Sequence, residues 1–269
     1  MSLVVKKVWD RQPQTVTQID WDNPLTRELV FSTSLASSAG FQSVGKDKRI
    51  GTITTAGGTG ITSKGSGQSF GTSGYIDFGS QTVIGDTTPA TITLFERTNV
   101  AQGFSAPMSI KLSALDWIWI RGTDPAYYCA VGPGAGGGVP NFDSVGVQTA
   151  GEQIRFVVVA PNGLVSTTGL AVWANGRKLT SSVTNFGAVS ASTTKIGWDG
   201  YDTRFSGVIQ DVNIIGRAWS DSEVAEYFKN PYQIYAPMTK VIPIATPGVG
   251  GTAFSPRAPY MTGVLSIKG

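Results

Sequence analysis

The chain has no histidine and a single cysteine, Cys129, among its 269 residues. The absence of histidine removes the commonest general base and metal ligand, which excludes Ser-His-Asp and Cys-His arrangements and histidine-held zinc. A lone cysteine excludes an intramolecular disulfide and a thiolate metal cluster. Cys129 then reads as a small buried apolar residue, in a fold that needs no oxidising compartment. Charge is scarce too, at 14% of residues with a net +3. That excess has a location: Lys240, Arg257 and Lys268 follow Tyr235 with no acidic residue among them, leaving 21 − 3 = 18 basic residues against 18 acidic ones before it. A neutral body without Lys/Arg runs interleaved with aromatics lacks the field that attracts nucleic-acid phosphates. No apolar run approaches membrane-spanning length, and residues 1–7 lack the pattern of a signal peptide, so neither a membrane anchor nor a secretion signal is expected.

What the chain has in quantity is 34 glycines, many Thr, Ser and Val, seven Trp and twelve Phe. These suit short strands joined by tight turns around a large apolar core. Strand-like segments fall at 27–33, 74–78, 90–97, 108–112, 153–159 and 169–174, each bounded by turn residues. In Asp116-Trp117-Ile118-Trp119-Ile120 both tryptophans share one strand face and both isoleucines the other, as expected of a strand buried on two sides. Asn175-Gly176 is the pair preferred in a type I′ hairpin turn. One helix is specified, by the capping box Ser220-Asp221-Ser222-Glu223, the stripe Val224, Tyr227 and Phe228, and the stop Asn230-Pro231. At two to three turns it is expected to close one edge of a sandwich rather than to organise a domain.

Three regions follow from this punctuation. Residues 1–27 are polar, aromatic-punctuated and aperiodic and read as an N-terminal arm. Residues 28–235 form the β-domain. Residues 236–269 carry Pro237, Pro243, Pro247, Pro256 and Pro259 with Gly248, Gly250 and Gly251, a density unlike regular structure, and read as an extended C-terminal arm. Its apolar residues are too many for a solvated linker, so the arms are expected to pack on a neighbour through Trp9, Trp21, Ile244, Phe254 and Tyr260.

Local chemistry is sparse. Retaining glycan cleavage needs two carboxyls at one bond, and no Glu-x-Asp-x-x-Glu spacing occurs; Asp211 has no acidic residue two positions either side. The run Gly132-Pro133-Gly134-Ala135-Gly136-Gly137 matches G-x-G-x-x-G, but Pro140 and Asn141 follow where a dinucleotide site needs a helix, so it reads as a surface loop. The segment 124–130 mimics an immunoglobulin strand without a partner cysteine. Trp198-Asp199-Gly200-Tyr201-Asp202 is the best ligand candidate, with Trp198 and Tyr201 to stack a sugar and Asp199 and Asp202 to approach calcium. Two acids fall short of the six to eight oxygens calcium takes, so no cofactor is expected, and a glycine-centred turn is the simpler reading.

Phe205-Ser206-Gly207-Val208-Ile209-Gln210-Asp211-Val212 followed by Arg217-Ala218-Trp219-Ser220-Asp221-Ser222-Glu223-Val224 resembles the end of laminin G/concanavalin A-like domains. There an F-G-x-I-D-x-V strand precedes R-A-L-S-D-E-E-I. Residues 74–79, 91–97 and the Asn175-Gly176 hairpin are similar to that family's earlier strands and its "YVNG" turn. The resemblance implies an all-β jelly-roll β-sandwich over about residues 28–235, with one short C-terminal helix. The pieces 21–27 and 230–237 resemble laminin G-like proteins encoded in tailed-phage genomes. This implies a virion protein made in the host cytoplasm: a capsid decoration or cement subunit whose arms bind other virion proteins, the major capsid protein or further copies of itself. The alternative is a carbohydrate-binding lectin module of a tail fibre or spike that meets host glycans, and a glycan-cleaving enzyme is a minor third. Fold similarity by itself licenses none of these functions.

Overall fold

The structure is a computed structural model that describes residues 12, 17–35, 41–54, 58–103, 105–113, 116–122, 129–133, 139–142, 148–184, 193–198 and 204–237. The chain forms an all-β sandwich of two large antiparallel sheets with one α-helix. One sheet has eight strands in the order Arg177–Lys178, Ala171–Ala174, Gln153–Ala160, Ala90–Thr98, Gly207–Ile215, Gly65–Phe70 and Thr59–Thr62, with Leu29–Ser34 also pairing with Gly207–Ile215. A bulge between Ile209 and Asp211 divides that central strand: residues 207–209 pair with Phe70–Gln68, and residues 211–215 pair with Ser34–Leu29. The other sheet has nine strands: Ser181–Thr184, Val139–Phe142, Ala130–Pro133, Asp116–Arg121, Ser105–Lys111, Lys195–Ile196, Tyr75–Asp77, Ile50–Thr54 and Phe41–Gln42.

The period-two patterns turn Ile92, Leu94, Phe156, Val158, Val212 and Ile214 of the first sheet toward Met108, Ile110, Trp117, Trp119, Ile196 and Ile76 of the second. Trp119 meets Phe156 edge-on across the gap at 5.0 Å, and Phe31 meets Phe78 in the same way at 5.1 Å. Both tryptophans are fully buried and Cys129 lies among them in the core, as expected of these residues. The opposite face of the strand carrying the tryptophans lies outside the described residues. Asn175 and Gly176 adopt φ of 48° and 88°, the left-handed pair a type I′ turn requires.

The run Phe156-Val157-Val158-Val159 is apolar on both faces because it serves two cores. Phe156 and Val158 face the sandwich interior, whereas Val157 and Val159 join a second cluster with Trp173, Ile215, Trp219, Val224, Tyr227 and Ile234. This second core lies under the helix Asp221–Lys229, whose Ser220/Glu223 capping box is present with both reciprocal bonds. The helix therefore covers the outer face of the eight-stranded sheet instead of closing an edge. A strand with valines on its outer face needs that cover.

The second core also changes the reading of the N-terminal region. Ile19, Leu25 and Leu29 are buried in it, and Thr17–Ile19 pairs with Tyr235–Pro237 as a two-stranded ribbon. Asn23 caps a short 3₁₀ turn over Pro24–Thr26, and its side-chain amide donates to the Gln233 carbonyl at 2.8 Å. Gln12 is docked as well, its backbone N–H donating to Lys64 and its side chain bonded to Ser34 and Ser66. Residues 17–27 are thus part of the sandwich rather than an arm, and the boundary expected at 235/236 passes through a paired strand. Of the residues assigned to the arms, Trp21 is 58% exposed. Trp9, Ile244, Phe254 and Tyr260 lie outside the described residues.

Candidate functional site

The outer face of the nine-stranded sheet has no helix over it among the described residues. In Tyr75–Asp77, Ile76 points into the core and Tyr75 and Asp77 point out. Lys195 pairs directly with Asp77 on one side and with Ser109 on the other, so the three side chains form a row across this face. The chain then turns at Gly197, whose φ is +90°; a Cβ there would meet the Phe70 ring at 2.8 Å, so only glycine serves. The Phe205 N–H donates to the Gly197 carbonyl at 3.0 Å, which closes a short loop and brings Trp198 and Arg204 to the same place. The Ser109 hydroxyl donates to the Trp198 carbonyl at 3.3 Å and fixes the start of the loop on the sheet.

The result is a cluster of two aromatic rings and two cations. Trp198 and Tyr75 lie 4.9 Å apart, tilted by 49°. The Arg204 guanidinium is 4.3 Å from the Trp198 ring centre and 5.4 Å from that of Tyr75, and the Lys195 ammonium is 5.2 Å from Trp198. Lys195 is 4% exposed, whereas Tyr75, Trp198 and Arg204 are half-buried. Neighbouring Asp77 is engaged elsewhere: one oxygen accepts from the Gly79 N–H and the other from the Thr193 hydroxyl. Arg204 donates no hydrogen bond to a described residue, and its Nε is sealed from solvent without a partner. The lack of any side-chain donation to a described residue sets it apart from Arg49, Arg97, Arg121, Arg155 and Arg217, each of which donates to defined oxygens. Cations on aromatic faces are stabilised by the ring quadrupole by about 0.5–2 kcal/mol, more as water is excluded.

Of the loop expected to hold a ligand, Trp198 belongs to this cluster, and Asp199, Tyr201 and Asp202 lie outside the described residues. With cations over its ring, Trp198 is not the open stacking platform expected from its sequence neighbours. Tyr75, Lys195 and Arg204 escaped the sequence reading. Arg204 stands two positions beyond Asp202 and could have been included, but nothing local marks Tyr75. No group of three or more His, Cys, Asp or Glu among the described residues is placed to hold a metal.

Two further polar clusters are internal. Arg121 donates from Nε to Glu96 and from Nη2 to Glu152, both at 2.8 Å, although it lies 25 residues after the first and 31 before the second. The fold therefore assembles a carboxyl pair that no sequence spacing announces. Glu96 is fully buried and Arg121 is bonded to both carboxyls, so the three groups act as a tie between the sheets. Burial pushes the Glu96 carboxyl above its ordinary range, with Arg121 opposing, and pushes the Cys129 thiol up to about 12. On the other sheet, Arg155 is bonded to Asp211, Tyr227 and Tyr232 beneath the helix. The cleft beside it, about 200 Å³ and lined in part by Lys64, Phe95, Asn175 and Lys229, is smaller than most small-molecule pockets.

No protein-family model matches this sequence, and no curated protein matches it. Solved structures do. The chain is similar to Trypanosoma rangeli sialidase in complex with the inhibitor DANA, with a TM-score of 0.52 and 14% identity over 77% of this chain and 33% of that one. It is similar also to a mutant of the same enzyme displaying trans-sialidase activity, with a TM-score of 0.51 and 15% identity over 78% and 34% of the two chains. A weaker likeness, with a TM-score of 0.43 and 14% identity, is to domain 4 of an extracellular arabinanase from Geobacillus stearothermophilus in complex with arabinotriose, over 76% and 98%. The chain spans about a third of the length of the sialidase chains it matches. At these identities the likeness is one of fold: an all-β sandwich, in agreement with the jelly-roll architecture expected from the sequence.

Proposed function

We propose that this chain is a non-catalytic carbohydrate-binding module, and that the cluster of Tyr75, Trp198, Arg204 and Lys195 on the outer face of the nine-stranded sheet is its contact surface. The observation that carries this reading is the contrast between Arg204 and the other half-buried or buried arginines. Those are committed to internal oxygens, whereas the Arg204 guanidinium lies over two aromatic rings and its side chain donates to no described residue. Half-buried aromatics beside unspent donors are the composition of sites that take sugars, whose faces carry apolar C–H groups and whose rims carry hydroxyls. The buried carboxyls Glu96 and Asp211 and the half-buried Glu152 are tied to arginines, which favours binding over bond cleavage. A glycan array probed with and without calcium tests the reading: binding lost in Trp198→Ala and Tyr75→Ala at unchanged melting temperature is expected, and no glycan bound under either condition sinks it.

A second reading, the virion decoration or cement subunit, is supported by Trp21, exposed next to the ribbon whose second strand, Tyr235–Pro237, leads into residues 238–269. On this reading the apolar, proline-rich tail binds capsid subunits. Deleting residues 238–269 should then leave a folded sandwich that no longer joins particles, and full particle occupancy by the truncated chain would overturn it.

A further inference from the structure

We infer that the Trp198 site selects acidic sugars, those with a carboxylate on or beside the pyranose ring, over their neutral counterparts. This rests on the carbohydrate-binding reading and adds the charge of the ligand to it. Three observations carry it. First, the ring of Trp198 is already approached by two cations, Arg204 at 4.3 Å and Lys195 at 5.2 Å, so the surface offered to a ligand is cationic rather than purely apolar. Second, Lys195 is almost fully buried and makes no ion pair among the described residues, and the sheet bears the cost of holding an ammonium there. Asp77, its cross-strand neighbour, brings one negative charge to this row while its oxygens accept from Gly79 and Thr193, so a single carboxylate stands against the two cations Lys195 and Arg204. Third, stacking on Trp198 and Tyr75 holds the guanidinium plane without using its N–H groups. With Nε sealed from solvent, the fork left to a ligand is that of Nη1 and Nη2, and a carboxylate is the acceptor whose geometry fits it in paired N–H···O bonds.

A neutral pyranose would leave the excess positive charge of this row uncompensated as it excluded water from it, and this penalty sets the direction of selectivity. A carboxylate supplies the missing charge at the same moment. Calcium, the usual bridge between acidic groups and a carbonyl-rich loop, has no part in this scheme, so chelation should not abolish binding.

The experiment compares matched pairs on the full chain: uronic-acid and sialylated oligosaccharides against their methyl esters, titrated calorimetrically in EDTA at low and high salt. The expected result is at least a tenfold preference for the free acid, falling as salt rises, and lost in Arg204→Gln while the far-ultraviolet spectrum and melting temperature hold. The comparison of acid with ester on the unaltered protein stands whether or not a variant folds. Equal affinity for acid and ester, abolished by Trp198→Ala, overturns the charge selectivity and leaves the carbohydrate reading intact. Absence of binding to every acid, ester and neutral glycan overturns both. Binding of the acids that survives Arg204→Gln undiminished overturns the assignment to this site.

Discussion

Arg155 and Asp211 are ion-paired at 3.0 Å across an intervening strand, since both stand opposite Phe95 on its two sides. The guanidinium crosses above the Phe95 ring, 4.6 Å from its centre, and is completed by the hydroxyls of Tyr227 and Tyr232. Helix, turn and sheet are thereby joined at one buried point. Burial works against the Arg155 charge, but Asp211 and the two tyrosines outweigh it and hold the group charged. Asp211→Ala strands this guanidinium and is expected to cost about 3–5 kcal/mol in urea denaturation. The double change Arg155→Met with Asp211→Leu should recover most of that loss, because it removes both desolvation penalties. A single-mutant cost below about 1 kcal/mol would mean that the pair is effectively solvated.

Glu96 makes stability depend on pH. Burial raises its carboxyl above the reference value of 4.5, against the pull of Arg121 and with a push from Glu152. The folded state thus holds this proton more tightly than the unfolded chain does. The resulting stabilisation is fully present below the ordinary carboxylate range and is lost as pH rises through the raised folded value. Glu96→Gln, which stays neutral throughout, should flatten this part of the pH profile and shift stability by no more than about 1 kcal/mol at the acid end. Denaturation midpoints measured across pH check it; identical slopes for the two proteins would contradict the assignment.

The tryptophans should divide into two classes. Trp117 and Trp119 are fully buried and close-packed, so replacement by Ala is expected to cost about 3–5 kcal/mol. The Trp117 indole N–H has no hydrogen-bond partner among the described residues, so Trp117→Phe, which discards an unpaired donor, should cost clearly less than Trp117→Ala. Trp21, at 58% exposure, should change stability by less than about 0.5 kcal/mol when replaced by Ala. Thermal melts of the four variants decide whether the classes separate.

At the helix start, the Ser220 hydroxyl accepts from the Glu223 N–H while Glu223 accepts from the Ser220 N–H and from Arg217. The Arg217 bond leads the effects that hold the Glu223 carboxyl below its ordinary range, against burial. Ser220→Ala is expected to lose about 1 kcal/mol, and Ser220→Asp to retain most of it. If Ser220→Ala melts like the unaltered protein, tertiary packing of Val224 and Tyr227 alone carries the helix.

The features legible in the sequence are those whose physics is confined to a few neighbouring residues. The capping box needs only the spacing of Ser220 and Glu223, the hairpin only the tolerance of Asn175 and Gly176 for positive φ, and the inward face of Trp117 and Trp119 only strand alternation. Strand segments came out within one to three residues of their observed bounds for the same reason; residues 90–97, for example, are observed as Ala90–Thr98.

What escaped depends on which strands become neighbours, and pairing order is a property of the whole chain. Residues 17–27 looked like an arm because Ile19 and Leu25 are isolated apolar residues without period, and their burial exists only once Ile234 and the helix arrive beside them. Glu96, Arg121 and Glu152 lie on separate segments, and the tie between them appears when the two sheets close. Tyr75 reaches Trp198 and Arg204 because Tyr75–Asp77 and Lys195–Ile196 share a register. The sequence by itself determined the fold class, the turns, the helix and the apolar faces. Tertiary structure decided which charges were neutralised inside and which cations, at Lys195 and Arg204, were left facing an aromatic surface, because charge compensation depends on distances across strands that local sequence does not encode.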